Sequence, residues 1–155
     1  MPRSLPWTLF PIASFVTGDL ADSGGLDEYG LVVDILSRLA MPVFVIPGNH
    51  DRREAMRDGF AAAYPYLRQA EDFLHYVVED FPVRLIGLDT VVPEKVGGAI
   101  CAARAAWFAD RLAEGDGRPT LVFMHHPPLR YRCQRDGCDD VPNRQRIRGA
   151  CRKPS

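Results

Sequence analysis

The chain has 155 residues, of which 46% are hydrophobic and 25% are charged, as in folded globular proteins and unlike disordered or fibrous chains. This length suits a single domain. The 19 lysines and arginines nearly balance the 20 aspartates and glutamates, so the formal net charge is -1. A balanced chain lacks the overall positive field that would favour nucleic acid or an anionic membrane surface.

The first half of the chain alternates strand-like and helix-like patterns. A short apolar run at 13–17 ends in Gly18 and Asp19, which predicts a buried strand with a carboxylate at its carboxyl end. A second apolar run at 43–46 predicts another strand, and a helix is predicted at 52–63. Between the two strands, apolar residues recur every three or four positions and predict an amphipathic helix. They are Leu26, Tyr29, Val32, Val33, Leu36 and Leu39.

The second half continues the alternation. Apolar runs at 73–78 and 83–88 predict neighbouring strands that suit a hairpin. An alanine-rich stretch at 101–113 predicts a helix, and 120–124 predicts a final buried strand. We therefore expect an α/β domain whose site lies at one sheet edge, where the strands end.

The remaining features concern compartment and boundaries. The four cysteines lack the paired spacing of a zinc ribbon, and no apolar run approaches the roughly 18 residues of a membrane span. We expect a cytoplasmic protein that does not enter a membrane. Residues 1–12 are atypical, residues 13–129 carry the domain pattern, and residues 130–155 are basic and lack apolar periodicity.

The basic segment 130–155 allows three interpretations. It suits a disordered extension, or a contact with nucleic acid, although aromatic residues interleaved with the basic ones are scarce. We favour a third interpretation, a shifted reading frame or truncated gene product, because a core strand that ends in a site motif should lead into more fold. Neighbouring frames of the coding DNA would test this.

Three groups of polar residues follow predicted strands. They are Asp19 with Asp22, the GNHD run at 48–51, and the HHP run at 125–127. Each alone is an ordinary turn sequence. Together they supply carboxylate, amide oxygen and imidazole, which are the ligands that hard or borderline divalent cations accept from proteins. The combination predicts a metal site.

In order and approximate spacing, these motifs resemble those of the calcineurin-like metallophosphoesterases over residues 16–129. Within that family they look most like bacterial cyclic-nucleotide phosphodiesterases and glycerophosphodiesterases. The resemblance implies a four-layer α/β/β/α sandwich, two divalent metal ions (iron, manganese or zinc) and a small-molecule phosphodiester substrate.

The resemblance also implies a role for each matching residue. Asp19 corresponds to the carboxylate that bridges the two ions, and Asn49 and His125 correspond to ligands of the second ion. His50 corresponds to the histidine that faces the phosphate and protonates the leaving oxygen, with Asp51 orienting it. Asp22 and His126 are expected to contact these residues without binding a metal ion directly.

The sequence departs from the family pattern at both ends. No Asp-x-His pair precedes Asp19, and no Gly-His-x-His element follows His126. We therefore expect a partial fold that lacks the first strand and the C-terminal part, at most one retained ion, and impaired hydrolysis. The alternative is a non-catalytic, degenerate fragment with at most one weak metal site. Unpaired sheet edges would also favour a homo-oligomer.

Overall fold

A computed structural model describes residues 13–128, and they form an α/β fold, as predicted. In chain order, the elements are β1 Ser14–Val16, α1 Leu26–Leu36, β2 Val43–Val45, α2 Arg53–Phe60, a 3₁₀ turn Pro65–Arg68, β3 Tyr76–Val78, β4 Arg84–Leu88, α3 Ala102–Ala113 and β5 Thr120–Met124. The predicted segments 1–12 and 130–155 lie outside the described residues, so their assignment stays a prediction.

The strands form two small sheets. β1 and β2 pair in parallel, with Ser14 opposite Val43. In the second sheet β4 pairs antiparallel with β3 and parallel with β5, which confirms the predicted neighbouring strands. The rings of Phe15 and Phe123, one from each sheet, meet with their centroids 4.9 Å apart. This packing holds the end of β5 close to the end of β1.

Two apolar clusters support these sheets. In the larger one, β2 and the helices α1 and α2 bury Val45, Tyr29 and Phe60 completely. In the smaller one, α3 covers the second sheet through Phe108, which packs with Ile86. Fully burying a side chain of this size contributes about 1.5–3 kcal/mol relative to leaving it exposed. The loops that follow β1, β2 and β5 are thus attached to a packed core.

Three element boundaries differ from prediction by more than one residue. Helix α1 ends at Leu36, and the side chains of Leu26 and Leu39 are 58% and 42% exposed, so the predicted apolar stripe is wrong at both ends. Helix α2 ends at Phe60, three residues before its predicted end, and a 3₁₀ turn follows at Pro65–Arg68. Strand β3 begins only at Tyr76. None of the helices within 13–128 has the length and apolar character needed to cross a membrane.

Candidate metal centre

Two glycines bring the loops after β1 and β2 into contact. Gly18 has a φ of 103°, and a Cβ there would lie 2.6 Å from the Gly48 nitrogen and 2.7 Å from His125 Nδ1. A Cβ on Gly48 would overlap the amide and carboxylate of Asp19. Only residues without side chains fit this crossing. It places Asp19, Asn49 and His125 beside one another.

Potential metal-binding atoms of these three side chains lie close together. His125 Nδ1 lies 2.7 Å from the Thr17 carbonyl oxygen, which can only accept, so Nδ1 carries a hydrogen, and in the neutral ring Nε2 presents a lone pair. His125 Nε2 lies 3.1 Å from Asn49 Oδ1 and 3.6 Å from Asp19 Oδ2.

This arrangement fits a divalent cation. Three lone pairs that face one another repel unless a proton or a positive ion lies between them, and carboxylate, amide and imidazole are suitable ligands. The Thr17 carbonyl gives the His125 ring the hydrogen bond that commonly orients a metal-binding histidine. Within residues 13–128, no group of three His, Cys, Asp or Glu side chains is placed to hold a metal. The third donor here is an amide.

His50 lies next to this group with its side chain half exposed. Its Nδ1 lies 3.0 Å from the Asp22 carbonyl and 3.7 Å from the Asp22 carboxylate. The pKa of His50 is raised, mainly by the hydrogen bond to the Asp22 carbonyl and next by the charge of Asp19. Because Nδ1 donates to the carbonyl, Nε2 is the ring atom left to exchange a proton with a ligand.

Asp51 lies beneath the loops instead of beside the His50 ring. Its carboxylate is buried and accepts hydrogen bonds from three backbone amides and from one tyrosine hydroxyl. The donors are Leu20, Ala21, Gly48 and Tyr29. The resemblance implies that Asp51 orients His50, whereas the residue that contacts the ring is Asp22.

His126 lies behind His125 in a buried position, with the two ring centroids 4.7 Å apart. Its Nε2 donates to the Val96 carbonyl at 2.9 Å, so its Nδ1 accepts from the Thr90 hydroxyl at 2.7 Å. Burial lowers the pKa of His126, which favours the neutral ring that this pair of bonds requires. His126 is therefore held from both sides.

A buried ion pair next to α2 could not be predicted from the sequence. The Arg53 guanidinium, three residues beyond His50, donates to both carboxylate oxygens of Asp89, at 2.6 and 3.0 Å. Arg104 of α3 approaches the same carboxylate at 3.8 Å and bonds the Asp89 carbonyl. The partners lie 36 and 15 residues apart in the chain, so no local pattern indicates them.

A cleft of about 680 Å³ opens beside His50 and Asn49. Its other walls come from the loop after β1, from the start of α2 and from the segment that follows β4. They include Asp22, Ser23, Arg52, Glu54, Val91, Pro93 and Glu94. A small molecule in this cleft would lie against the predicted metal ligand Asn49 and the His50 ring.

The family follows from comparison with known proteins. The sequence profile of the calcineurin-like phosphoesterases matches residues 11–154. This chain belongs to the calcineurin-like phosphoesterase family. The match confirms the resemblance drawn from the motifs, and it extends across the predicted basic segment.

Similar curated proteins are named as phosphodiesterases. A probable glycerophosphodiester phosphodiesterase of Arcobacter nitrofigilis is 37% identical over 74% of this chain and 41% of its own length. A probable cyclic nucleotide phosphodiesterase of Rhodopseudomonas palustris is 38% identical over 75% of this chain and 44% of its own. A cAMP/cGMP dual specificity phosphodiesterase of Mycobacterium tuberculosis is 34% identical over 78% and 38%. The chain therefore spans less than half the length of these relatives.

Proposed function

We propose that the chain is a metal-dependent phosphodiester hydrolase that acts on a 3′,5′-cyclic nucleotide or a glycerophosphodiester. The observation that carries this proposal is the convergence of His125 Nε2, Asn49 Oδ1 and Asp19 Oδ2. Asn49 and His50 also line a cleft large enough for a small molecule. The names of the similar proteins support the choice of substrate class.

In this proposal Asp19, Asn49 and His125 hold one cation, and iron, manganese and zinc all suit such a mixed oxygen and nitrogen set. A bound divalent cation would polarise a phosphoryl oxygen and stabilise the negative charge that grows in the transition state. Asp19 supplies the only negative charge among the three donors. Its loss should therefore weaken cation binding most.

His50 is the proposed proton donor. Cleavage of a phosphodiester releases an alkoxide, which needs a proton to leave readily. The Nδ1–H of His50 is held by the Asp22 carbonyl, so the ring is oriented and a proton on Nε2 is available to the leaving oxygen. Asp22 is thus the proposed orienting partner, in place of Asp51.

A second candidate function is binding of a single cation without hydrolysis. It is favoured by the fact that residues 13–128 bring together one three-donor set, whereas many phosphoesterase sites clamp the phosphoryl group between two ions. If the chain does hydrolyse phosphodiesters, we expect slow turnover, because a single ion clamps the phosphoryl group less well than two.

Hydrolysis of bis(p-nitrophenyl) phosphate with added Mn²⁺ tests the proposal, followed by 3′,5′-cyclic AMP and a glycerophosphodiester. We expect manganese-dependent turnover that is lost in Asp19→Asn. Asp116→Asn is a matched control, because Asp116 forms an exposed pair with Arg118, and it should keep full activity.

The outcomes separate the two candidates. Manganese binding without turnover would support the second candidate. Equal turnover in the wild type and Asp19→Asn would contradict the first, and a wild type that binds no manganese would contradict both.

A further inference from the structure

We propose that Tyr29 is a positioning residue for the candidate metal centre. Its hydroxyl group acts through the Asp51 carboxylate to fix the distance between the loop that carries Asp19 and the loop that carries Asn49. This inference rests on the proposed function, because it assigns these loops to cation binding.

The Asp51 carboxylate ties the two loops together. It accepts from the amides of Leu20 and Ala21, which directly follow Asp19, at 3.2 Å each. It also accepts from the Gly48 amide at 2.8 Å, and Gly48 directly precedes Asn49. A small rotation of this one carboxylate would therefore change the relative position of two predicted ligands.

Tyr29 fixes the orientation of that carboxylate. Its hydroxyl donates to Asp51 Oδ1 and accepts from the amide of Arg52, both at 3.1 Å. Burial raises the pKa of Tyr29, so the hydroxyl keeps its proton and remains a donor. The Tyr29 hydroxyl oxygen thus connects the Arg52 amide, directly before α2, to the Asp51 carboxylate.

The ring of Tyr29 is itself held in place by helix packing. It is fully buried and meets Phe60 of α2 edge-on at 5.4 Å between centroids. Gly59 allows the close approach, since a Cβ there would lie 2.9 Å from Tyr29 Cβ. The hydroxyl position is therefore set by the contact between α1 and α2, and the loops are set relative to these helices.

The role of the Tyr29 hydroxyl can be separated by mutation from the packing role of its ring. The ring supplies the packing, and the hydroxyl supplies the two hydrogen bonds. Tyr29→Phe removes only the hydroxyl. Tyr64→Phe is a matched control, because Tyr64 also packs against Phe60, with the ring centroids 5.5 Å apart, and is not among the groups that bond Asp51.

The experiment combines two measurements on the whole chain, manganese titration by calorimetry and amide hydrogen exchange by NMR. We expect Tyr29→Phe to weaken Mn²⁺ binding about 10-fold, the lower range for loss of a group that orients a metal ligand. The amides of Gly48 and Arg52 should exchange faster in this variant. Tyr64→Phe should change neither the affinity nor these two amides.

A double-mutant cycle with Asp51→Asn tests whether Tyr29 acts through Asp51. Groups that act as one unit give non-additive effects, so Tyr29→Phe should cost little further manganese affinity when Asp51 is already Asn. Additive losses would overturn the proposed route through Asp51.

Failure of this inference is distinguishable from failure of the proposed function. If Tyr29→Phe and Tyr64→Phe bind manganese equally well, or if the Gly48 and Arg52 amides exchange at the wild-type rate in Tyr29→Phe, the positioning role is overturned. If the wild type binds no manganese, the proposed function fails, and the exchange of these two amides alone decides the role of Tyr29.

Discussion

Two buried carboxylates near the candidate site are satisfied in different ways. Asp51 accepts only from neutral groups, three backbone amides and the Tyr29 hydroxyl. Asp89 is paired with the guanidinium of Arg53 and approached by that of Arg104. Both carboxylates hold backbone amides in place, but the second also neutralises charges that would otherwise be buried alone. Their removal should therefore have different consequences.

The largest effect is expected for Asp89→Ala. This change leaves Arg53 and Arg104 in a buried environment without their counter-charge, which typically costs 3–5 kcal/mol, and we expect about that loss in the free energy of unfolding. Urea denaturation measures it. Asp116→Ala, which removes an exposed pair, should leave the midpoint nearly unchanged. Equal urea midpoints for Asp89→Ala and Asp116→Ala would contradict the proposal that Asp89 neutralises buried charges.

The stability of the region around Asp89 should also depend on pH, through His75. His75 stacks on Trp107 with the centroids 4.0 Å apart and faces Asp89, Arg104 and Arg53. Burial lowers the pKa of His75 to about 4, from 6.5. Between these values His75 is protonated in the unfolded chain but neutral in the folded chain, so the free energy of unfolding decreases as the pH falls. The cost reaches about 2 kcal/mol near pH 5.

His75→Phe keeps the aromatic stacking and removes the titrating group. We expect this variant to lose less stability than the wild type when the pH is lowered from above 6.5 toward 4. Thermal unfolding at several pH values measures the difference. Identical pH profiles would show that His75 does not carry the effect.

On the Asp51 side, the sharpest change is Gly48→Ala. The added Cβ would collide with the amide and carboxylate of Asp19, so we expect Mn²⁺ affinity to fall at least about 10-fold. Gly30→Ala is the matched control, because a Cβ there meets nothing within 4 Å. It should leave manganese binding unchanged and stabilise α1 by about 0.5–1 kcal/mol. Calorimetry and urea unfolding measure the two effects, and equal affinities would count against the loop crossing.

The sequence predicted the elements better than the interactions that support the site. The bounds of β5 match the prediction, since its apolar run is flanked by clear breaks. The loops that carry Asp19, Asn49 and His125 were also expected at strand ends. The periodicity assigned Tyr29 to the core, and its ring is there, but nothing local indicates a hydroxyl partner 22 residues away. The pairing of Asp22, instead of Asp51, with the His50 ring likewise depends on how the loops fold back.

The position of bound Mn²⁺, measured by paramagnetic broadening of NMR signals, tests most directly whether Asp19, Asn49 and His125 surround one cation. We expect low Mn²⁺ concentrations to broaden the signals of these residues first, and His125→Ala to weaken the effect. Broadening spread over other acidic residues, or unchanged in His125→Ala, would contradict that arrangement.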